Sequence, residues 1–261
     1  KSTIIKLICG LVHKNKGVVY VNGSDPSIRP IEVKSNIGYM PQKIDFNKSI
    51  TLLENIILYG ELYGISKNNS KIEASKLCES LGINNYINKN VEYLPLNILR
   101  IGMFIRSIIH NPEILLLDEP TLNLDPFYRD LLWNYIDSKC KNKTILFCTQ
   151  NYTEAETYSD RIAVLFKGEI RLIGNYNYLI ENTHNLYKFS ITFKNTISDD
   201  LIKSIRLNPK LVKPRISNNS IIFLCEDKSE YLKLLRDFIK YEIVDFHSSK
   251  ISLEDILKEV K

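Results

Sequence analysis

The sequence predicts an α/β protein organised on a parallel sheet, with an all-helical insert and a small α+β appendix. Three observations predict it. The first is Ile114-Leu115-Leu116-Leu117, an apolar run that ends in two adjacent carboxylates, Asp118 and Glu119. A strand that is apolar on both faces suits the middle of a parallel sheet covered by helices. The second is a helical tract at about 43–112, which separates that run from an earlier short strand, Ile37-Gly38-Tyr39-Met40. The third is a change of pattern near Asn185, where short alternating strands and helices take over. A chain of 261 residues can bury one large core and a smaller second one.

From the N-terminus, Lys1-Ser2-Thr3 opens an apolar-periodic segment (Ile4, Ile5, Leu7, Ile8, Leu11) with Gly10 near its end. A P-loop closes in this way: a lysine for the β- and γ-phosphates, a hydroxyl for Mg²⁺, then a helix whose N-terminus faces anions. The Gly-x-x-x-x-Gly that precedes such a lysine is not in the sequence, and neither is an initiator Met, so the chain is expected to begin inside that motif. Residues 17–23 read as a strand ending in an Asn22-Gly23 hairpin turn. The strand at Ile37 delivers Pro41-Gln42.

Residues 50–66 read as a helix with Thr51 near its start, followed by a Lys/Asn-rich loop at 67–71 and a helix through Ala74, Leu77 and Leu81. Another helix carries Ile98, Leu99, Ile101, Phe104, Ile105, Ile108 and Ile109, and His110 at its end reads as a cationic partner for the helix dipole. Next comes the Ile114 strand, whose C-terminal tip is where α/β proteins place their ligands. Its first carboxylate can hold a divalent cation directly or through water. The second can polarise a water for in-line attack on phosphorus. The strand Thr144–Cys148 leads to Gln150, and Asp160 to Ile173 forms a strand pair around Phe166-Lys167-Gly168.

Lys-Ser-Thr, Tyr39-Met40-Pro41-Gln42 and Leu-Leu-Leu-Asp-Glu-Pro120-Thr121, in this order and spacing, resemble the ATP-binding subunits of ATP-binding cassette (ABC) transporters, and the appendix ending in Ser252-Leu253-Glu254-Asp255 resembles that of the drug- and ion-exporter (ABC-2) type. The first resemblance covers about 1–182 and implies a P-loop NTPase fold. It implies that Lys1, Ser2 and Thr3 end the Walker A motif, with Ser2 on Mg²⁺, and that Gln42 touches Mg²⁺ and the attacking water. It also implies that Asp118 is the Walker B carboxylate and metal residue, Glu119 the catalytic base and Asp125 the D-loop aspartate. The implied ligands are ATP and Mg²⁺, and the implied partners are transmembrane permease subunits and a second ABC subunit. The helical tract would face the membrane partner.

Two family elements depart from the pattern. The signature Leu-Ser-Gly-Gly-Gln falls, by its distance from Asp118, on Leu94-Pro95-Leu96-Asn97-Ile98. Proline has no N–H to offer, and a leucine side chain stands where backbone should approach a phosphate. The family's histidine that contacts the γ-phosphate is Gln150 here, which can donate a hydrogen bond but cannot carry a proton. Each ATP of such a dimer lies between one subunit's Walker motifs and the other's signature, so a heterodimer with an intact partner is expected. Alternatives are a regulatory subunit that hydrolyses ATP poorly and a soluble ABC ATPase outside transport.

Composition agrees with the first reading. Hydrophobic residues make up 44% and charged residues 25%, as in ordinary globular proteins. No apolar run approaches the roughly 18–20 residues that cross a bilayer, so transport would need separate membrane subunits. The five cysteines lack metal-ligand spacing and read as reduced thiols of a cytoplasmic protein, which the resemblance would place at the inner membrane face. A net charge of +5 spread over scattered lysines is no nucleic-acid stripe, and no nucleic-acid partner is expected. The expected domains are 1–183, nucleotide-binding, and 184–261, an accessory unit of β-α-β-β-α-β order. In the accessory unit, Ser252 and Asp255 start a final helix as a near-capping box.

Overall fold

The structure is a computed structural model and describes residues 1–181, 187–208, 211–225, 236 and 238–255. Two compact units divide the chain, Lys1–Gln150 and Asn151–Lys261.

The first unit contains helices α1 (Ser2–Ile8) and α2 (Pro30–Ser35), strand β1 (Ile37–Met40), helices α3 (Leu52–Leu62), α4 (Lys67–Ser80) and α5 (Leu96–Ile108), strand β2 (Ile114–Asp118), helix α6 (Pro126–Lys139) and strand β3 (Thr144–Cys148). The three strands form a parallel sheet in the order β1-β2-β3. Register pairs Met40 with Leu117, and Asp118 with Cys148, so all three C-terminal ends come out together. Leu115, Leu116 and Leu117 are buried, which is what a central strand with both faces covered requires.

Gly38 lets β1 lie against α5: a Cβ there would stand 2.1 Å from the Ser107 carbonyl oxygen. The main apolar cluster joins α3, α4 and α5 to β2 and α6, with Trp133 and Phe104 among its fully buried side chains. Thr51 caps α3 in a capping box, its hydroxyl accepting from the Glu54 N–H while the Glu54 carboxylate accepts from the Thr51 N–H.

Several local expectations need correction. Residues 67–71 are helical, because Ser66 accepts from the Asn69 N–H and starts α4 at Lys67. The segment 17–23 is no strand. Val18 and Tyr20 are exposed, and only the Asn22-Gly23 turn survives, with both residues at positive φ and closed by Val21–Ser24 backbone bonds of 2.9 Å. Helix α2, started by Pro30 at its first turn, went unpredicted because it is a single short amphipathic stretch.

The second unit contains α7 (Tyr152–Tyr158), the antiparallel pair β4 (Ile162–Phe166) and β5 (Glu169–Gly174), α8 (Tyr176–Glu181), β6 (Tyr187–Phe193), α9 (Asp199–Leu207), β7 (Val212–Ile216), β8 (Ser220–Cys225) and β9 (Ile243–Lys250). The last four strands make an antiparallel sheet in the order β7-β8-β6-β9. Phe189, Ile191 and Phe193 alternate inward along β6 and pack with α9 through Leu201 and Ile205.

The β-α-β-β part of the expected order is present with its last strand, whereas the second helix, expected through Tyr231 and Leu235, lies outside the described residues. Ser252 and Asp255 exchange N–H···O bonds of 3.2 Å each, as a capping box does. Compactness divides the chain after Gln150, ahead of 183, because Ile162, Val164 and Leu179 share one apolar cluster with Leu224, Ile251 and Leu253.

Candidate functional site

The C-terminal ends of β1, β2 and β3 converge on one place, and the first residue of the chain reaches it. Lys1 Nζ lies 3.0 Å from Glu119 Oε1 and donates to the Thr149 carbonyl at 2.8 Å. The Gln150 N–H donates to Glu119 Oε2 at 3.2 Å, so both carboxylate oxygens of Glu119 have donors. Ser2 and Thr3 follow Lys1 in the first turn of α1, with Ser2 half-buried and Thr3 exposed.

Glu119 is buried and sits at φ +53°, a left-handed conformation that a non-glycine residue adopts at some cost. Its N–H bonds the Cys148 carbonyl at 2.8 Å, extending the β2–β3 ladder by one rung before the chain turns. Beside it Asp118 is 1% exposed, and its Oδ1 has no hydrogen-bond partner. A buried carboxylate oxygen without a donor is costly. A divalent cation with its waters, or a ligand donor, would relieve that cost. The carboxylate also leaves its mark on neighbours: burial first, then Asp118, pushes the Tyr39 phenol up to about 12. The Cys148 thiol is raised by burial and then by the same charge.

Gln42 and Gln150 are both exposed beyond the strand ends, available to a ligand. Asp125 does something sequence did not suggest. It caps α6 by accepting the Tyr128 N–H at 3.0 Å, and it binds Asn97 twice, Asn97 Nδ2 to Asp125 Oδ2 at 2.6 Å and Asp125 N to Asn97 Oδ1 at 3.3 Å. The segment 94–98 is therefore fastened to the loop that follows β2. Within it Leu94 and Ile98 are buried, Leu96 is exposed, and Pro95 is the N-cap of α5 without a side-chain cap bond.

Arg100 was missed altogether. It is 2% exposed and donates to the Gln42 carbonyl at 2.5 Å and, through its other terminal nitrogen, to the Glu119 carbonyl. The available signal was a lone arginine between Ile98, Leu99 and Ile101 on an otherwise apolar helix face. Arg106 is also buried, bonded to Asp45 at 2.5 Å and stacked over Tyr59 with 4.0 Å to the ring centroid.

His110 is no dipole cation. It stacks on Tyr63 with centroids 3.7 Å apart, its Nε2 lies 3.1 Å from the Ile37 carbonyl, and burial holds its pKa below the ordinary value. Among the described residues the five cysteines form no disulfide. Among the described residues no three His, Cys, Asp or Glu side chains gather into a metal site, and no helix is long and apolar enough to cross a membrane.

Lysine, hydroxyl, buried aspartate and glutamate at the ends of a parallel sheet are the parts of a phosphate site, and the family profile described as ABC transporter matches residues 1–122. Residues 1–122 carry an ATP-binding cassette domain. Among curated proteins it is 29% identical over its whole length to the cholesterol transporter ABCA5 of Rattus norvegicus and 33% identical over 74% of its length to ATP-binding cassette sub-family A member 10 of Homo sapiens.

It is also 28% identical over 65% of its length to the probable multidrug ABC transporter ATP-binding protein YbhF of Escherichia coli. It spans 17%, 13% and 29% of the lengths of these three relatives. The fold is shared with a solved ATP-binding subunit of an ABC transporter, at a TM-score of 0.64, 24% identity, 70% of this chain and 77% of that one. It is shared as well with a dimeric ATP-binding cassette solved with ADP and Pi, at a TM-score of 0.61, 20% identity, 67% of this chain and 79% of that one.

Proposed function

We propose that this chain binds Mg–ATP at the ends of β1, β2 and β3 and hydrolyses it to drive export through separate transmembrane subunits. The observation that carries the reading is the Lys1–Glu119 contact beside the unpartnered, buried Asp118. Lys1 and the N-terminus of α1 would bind the phosphates. Asp118, Ser2 and Gln42 would hold Mg²⁺, one carboxylate with a hydroxyl, an amide and phosphate oxygens being the ligand set this ion takes in nucleotide sites. When bound, Mg²⁺ neutralises charge on the phosphates. Glu119 would accept the proton of the attacking water once Lys1 turns to the nucleotide, and Gln150 would offer the γ-phosphate a neutral hydrogen bond.

The relatives' names, cholesterol transporter and multidrug ABC transporter, support a membrane-transport role. The nucleotide-binding domain is proposed as 1–183, with 43–112 as the part that meets the membrane subunits and 184–261 as an accessory domain. The place of work is proposed as the inner membrane face. Because Pro95, Leu96 and Asn97 supply neither hydroxyl nor glycine N–H, a heterodimer with a partner carrying an intact signature is favoured over a homodimer. A weakly hydrolysing subunit is a second reading, favoured by Asn97 being held on Asp125.

The test is ATP titration by calorimetry and steady-state hydrolysis, on the full chain with its co-purifying membrane protein. Millimolar ATP without heat, or turnover indifferent to Asp118→Asn and Glu119→Gln, would sink the proposal. Co-purifying RNA in place of a membrane protein would redirect it.

A further inference from the structure

Arg100 stands inside α5, flanked by Ile98 and Ile101, which are 1% and 0% exposed. Long cationic side chains usually carry their charge out to water. This one does not, and a buried cation is tolerated only where it is bonded. Its two terminal nitrogens donate to two backbone carbonyls, of Gln42 beyond β1 and of Glu119 beyond β2. Burial lowers the guanidinium pKa, and the nearby Glu119 and Asp118 charges oppose that. The Glu119 carbonyl belongs to a residue at φ +53°. Arg100 therefore bonds the peptide whose turn aims the carboxylate, and with its other arm it holds the loop that presents Gln42.

We infer that Arg100 is a positioning residue that joins the Gln42 loop to the turn at Glu119, so that the arm which senses the nucleotide and the base which activates water move as one. This rests on the ATP-site reading. The planar fork explains the choice of residue: two nitrogens at fixed separation reach two carbonyls, whereas the single nitrogen of lysine cannot occupy both places.

Two variants test it, Arg100→Met, which removes both donors, and Arg100→Lys, which keeps the charge and the stem. Hydrogen exchange on the nucleotide-free chain should be at least tenfold faster in peptides covering 42–45 and 119–123 in both variants, with 114–117 unchanged. In the assembled complex kcat should fall at least tenfold while the ATP KM stays within threefold. Gln42→Ala should cost clearly less in the Arg100→Lys background than in wild type, because the loop it serves is already released.

Wild-type exchange at both segments in Arg100→Lys, or wild-type kcat in that variant, overturns the inference, as does strict additivity with Gln42→Ala. If Arg100→Met does not fold, Arg100→Lys carries every arm. A wild-type complex without ATP hydrolysis would defeat the functional reading, and the exchange experiment would still decide whether Arg100 fastens the two segments.

Discussion

At the tip of β2 each polar group is buried, bonded or aimed: Asp118 and Glu119 are closed off from water, Lys1 and the Gln150 N–H meet the glutamate, and Arg100 holds its carbonyl. At the opening of α5 the same helix that carries Arg100 begins with an exposed leucine and a proline cap, and its one polar side chain, Asn97, is spent on Asp125. The two regions lie on adjacent elements of one unit, yet one gathers polar groups and the other is held mainly by packing. The difference teaches that the scaffold of α5 is set by burial from Ile98 to Ile108 and asks for no side-chain cap at its first turn.

The largest effect should come from the chemical region. Glu119→Gln is expected to cut turnover by about 10²–10⁴-fold, the range for a lost general base, with ATP affinity little changed. A steady-state assay on the assembled complex reads it, and retention of more than a tenth of the rate would mean that β2 does not carry the base.

Rebuilding the other region comes next. Replacing Pro95, Leu96 and Asn97 by Ser, Gly and Gly should raise hydrolysis by about a hundredfold, since one oriented oxyanion contact is worth ~3 kcal/mol. In a heterodimer the gain should appear at the partner's Walker site and survive Glu119→Gln in this chain. A gain that depends on this chain's Glu119 would break the assignment in trans.

The packing half of the comparison is tested at Gly38. A methyl group would meet the Ser107 carbonyl at 2.1 Å, Pro112 Cγ at 2.7 Å and a Leu115 methyl at 2.8 Å, two of them parts of the chain that cannot swing away. Gly38→Ala should therefore destabilise the chain by about 2–3 kcal/mol through overpacking. Thermal unfolding followed by Trp133, the single tryptophan and a buried one, measures this, and an unchanged midpoint would mean that β1 and α5 are not in tight contact.

The smallest effect concerns pH. Burial holds His110 below its ordinary 6.5, so it is neutral in the folded chain, and the added bond to the Ile37 carbonyl only partly offsets this. As pH falls through 6.5 the unfolded chain takes up a proton that the folded chain refuses, so the stability present above that value declines towards the folded pKa. His110→Gln should flatten the dependence of the melting midpoint on pH between about 7 and 5. Equal slopes in both proteins would place the titration elsewhere.

Much of this was readable from residues in order. The β2 strand announced itself as an apolar run ending in Asp-Glu, and Thr51 marked the neighbourhood where α3 starts, although the helix runs over 52–62 and not 50–66. Gln42 and Gln150 were placed at strand ends by counting. What went unread has a common cause. Ser66 displaced a polar loop by capping a helix that composition disguised. The 17–23 segment had strand periodicity but no second strand beside it among the described residues, and a strand without a partner leaves its backbone to water.

By itself the sequence determined the elements whose cause is local: period, cap and turn residue, each acting within a few positions of the chain. It also nominated lysine, hydroxyl and carboxylate side chains for a phosphate site, because these groups have few substitutes in that chemistry. Only the tertiary structure decided that Arg100 spans the ends of β1 and β2, that Asn97 closes on Asp125 and that His110 is neutral against Tyr63. These depend on burial and on contacts between residues tens of positions apart. The strength of a charge or hydrogen bond there follows from how little water is left around it, and that is a property of the packed chain.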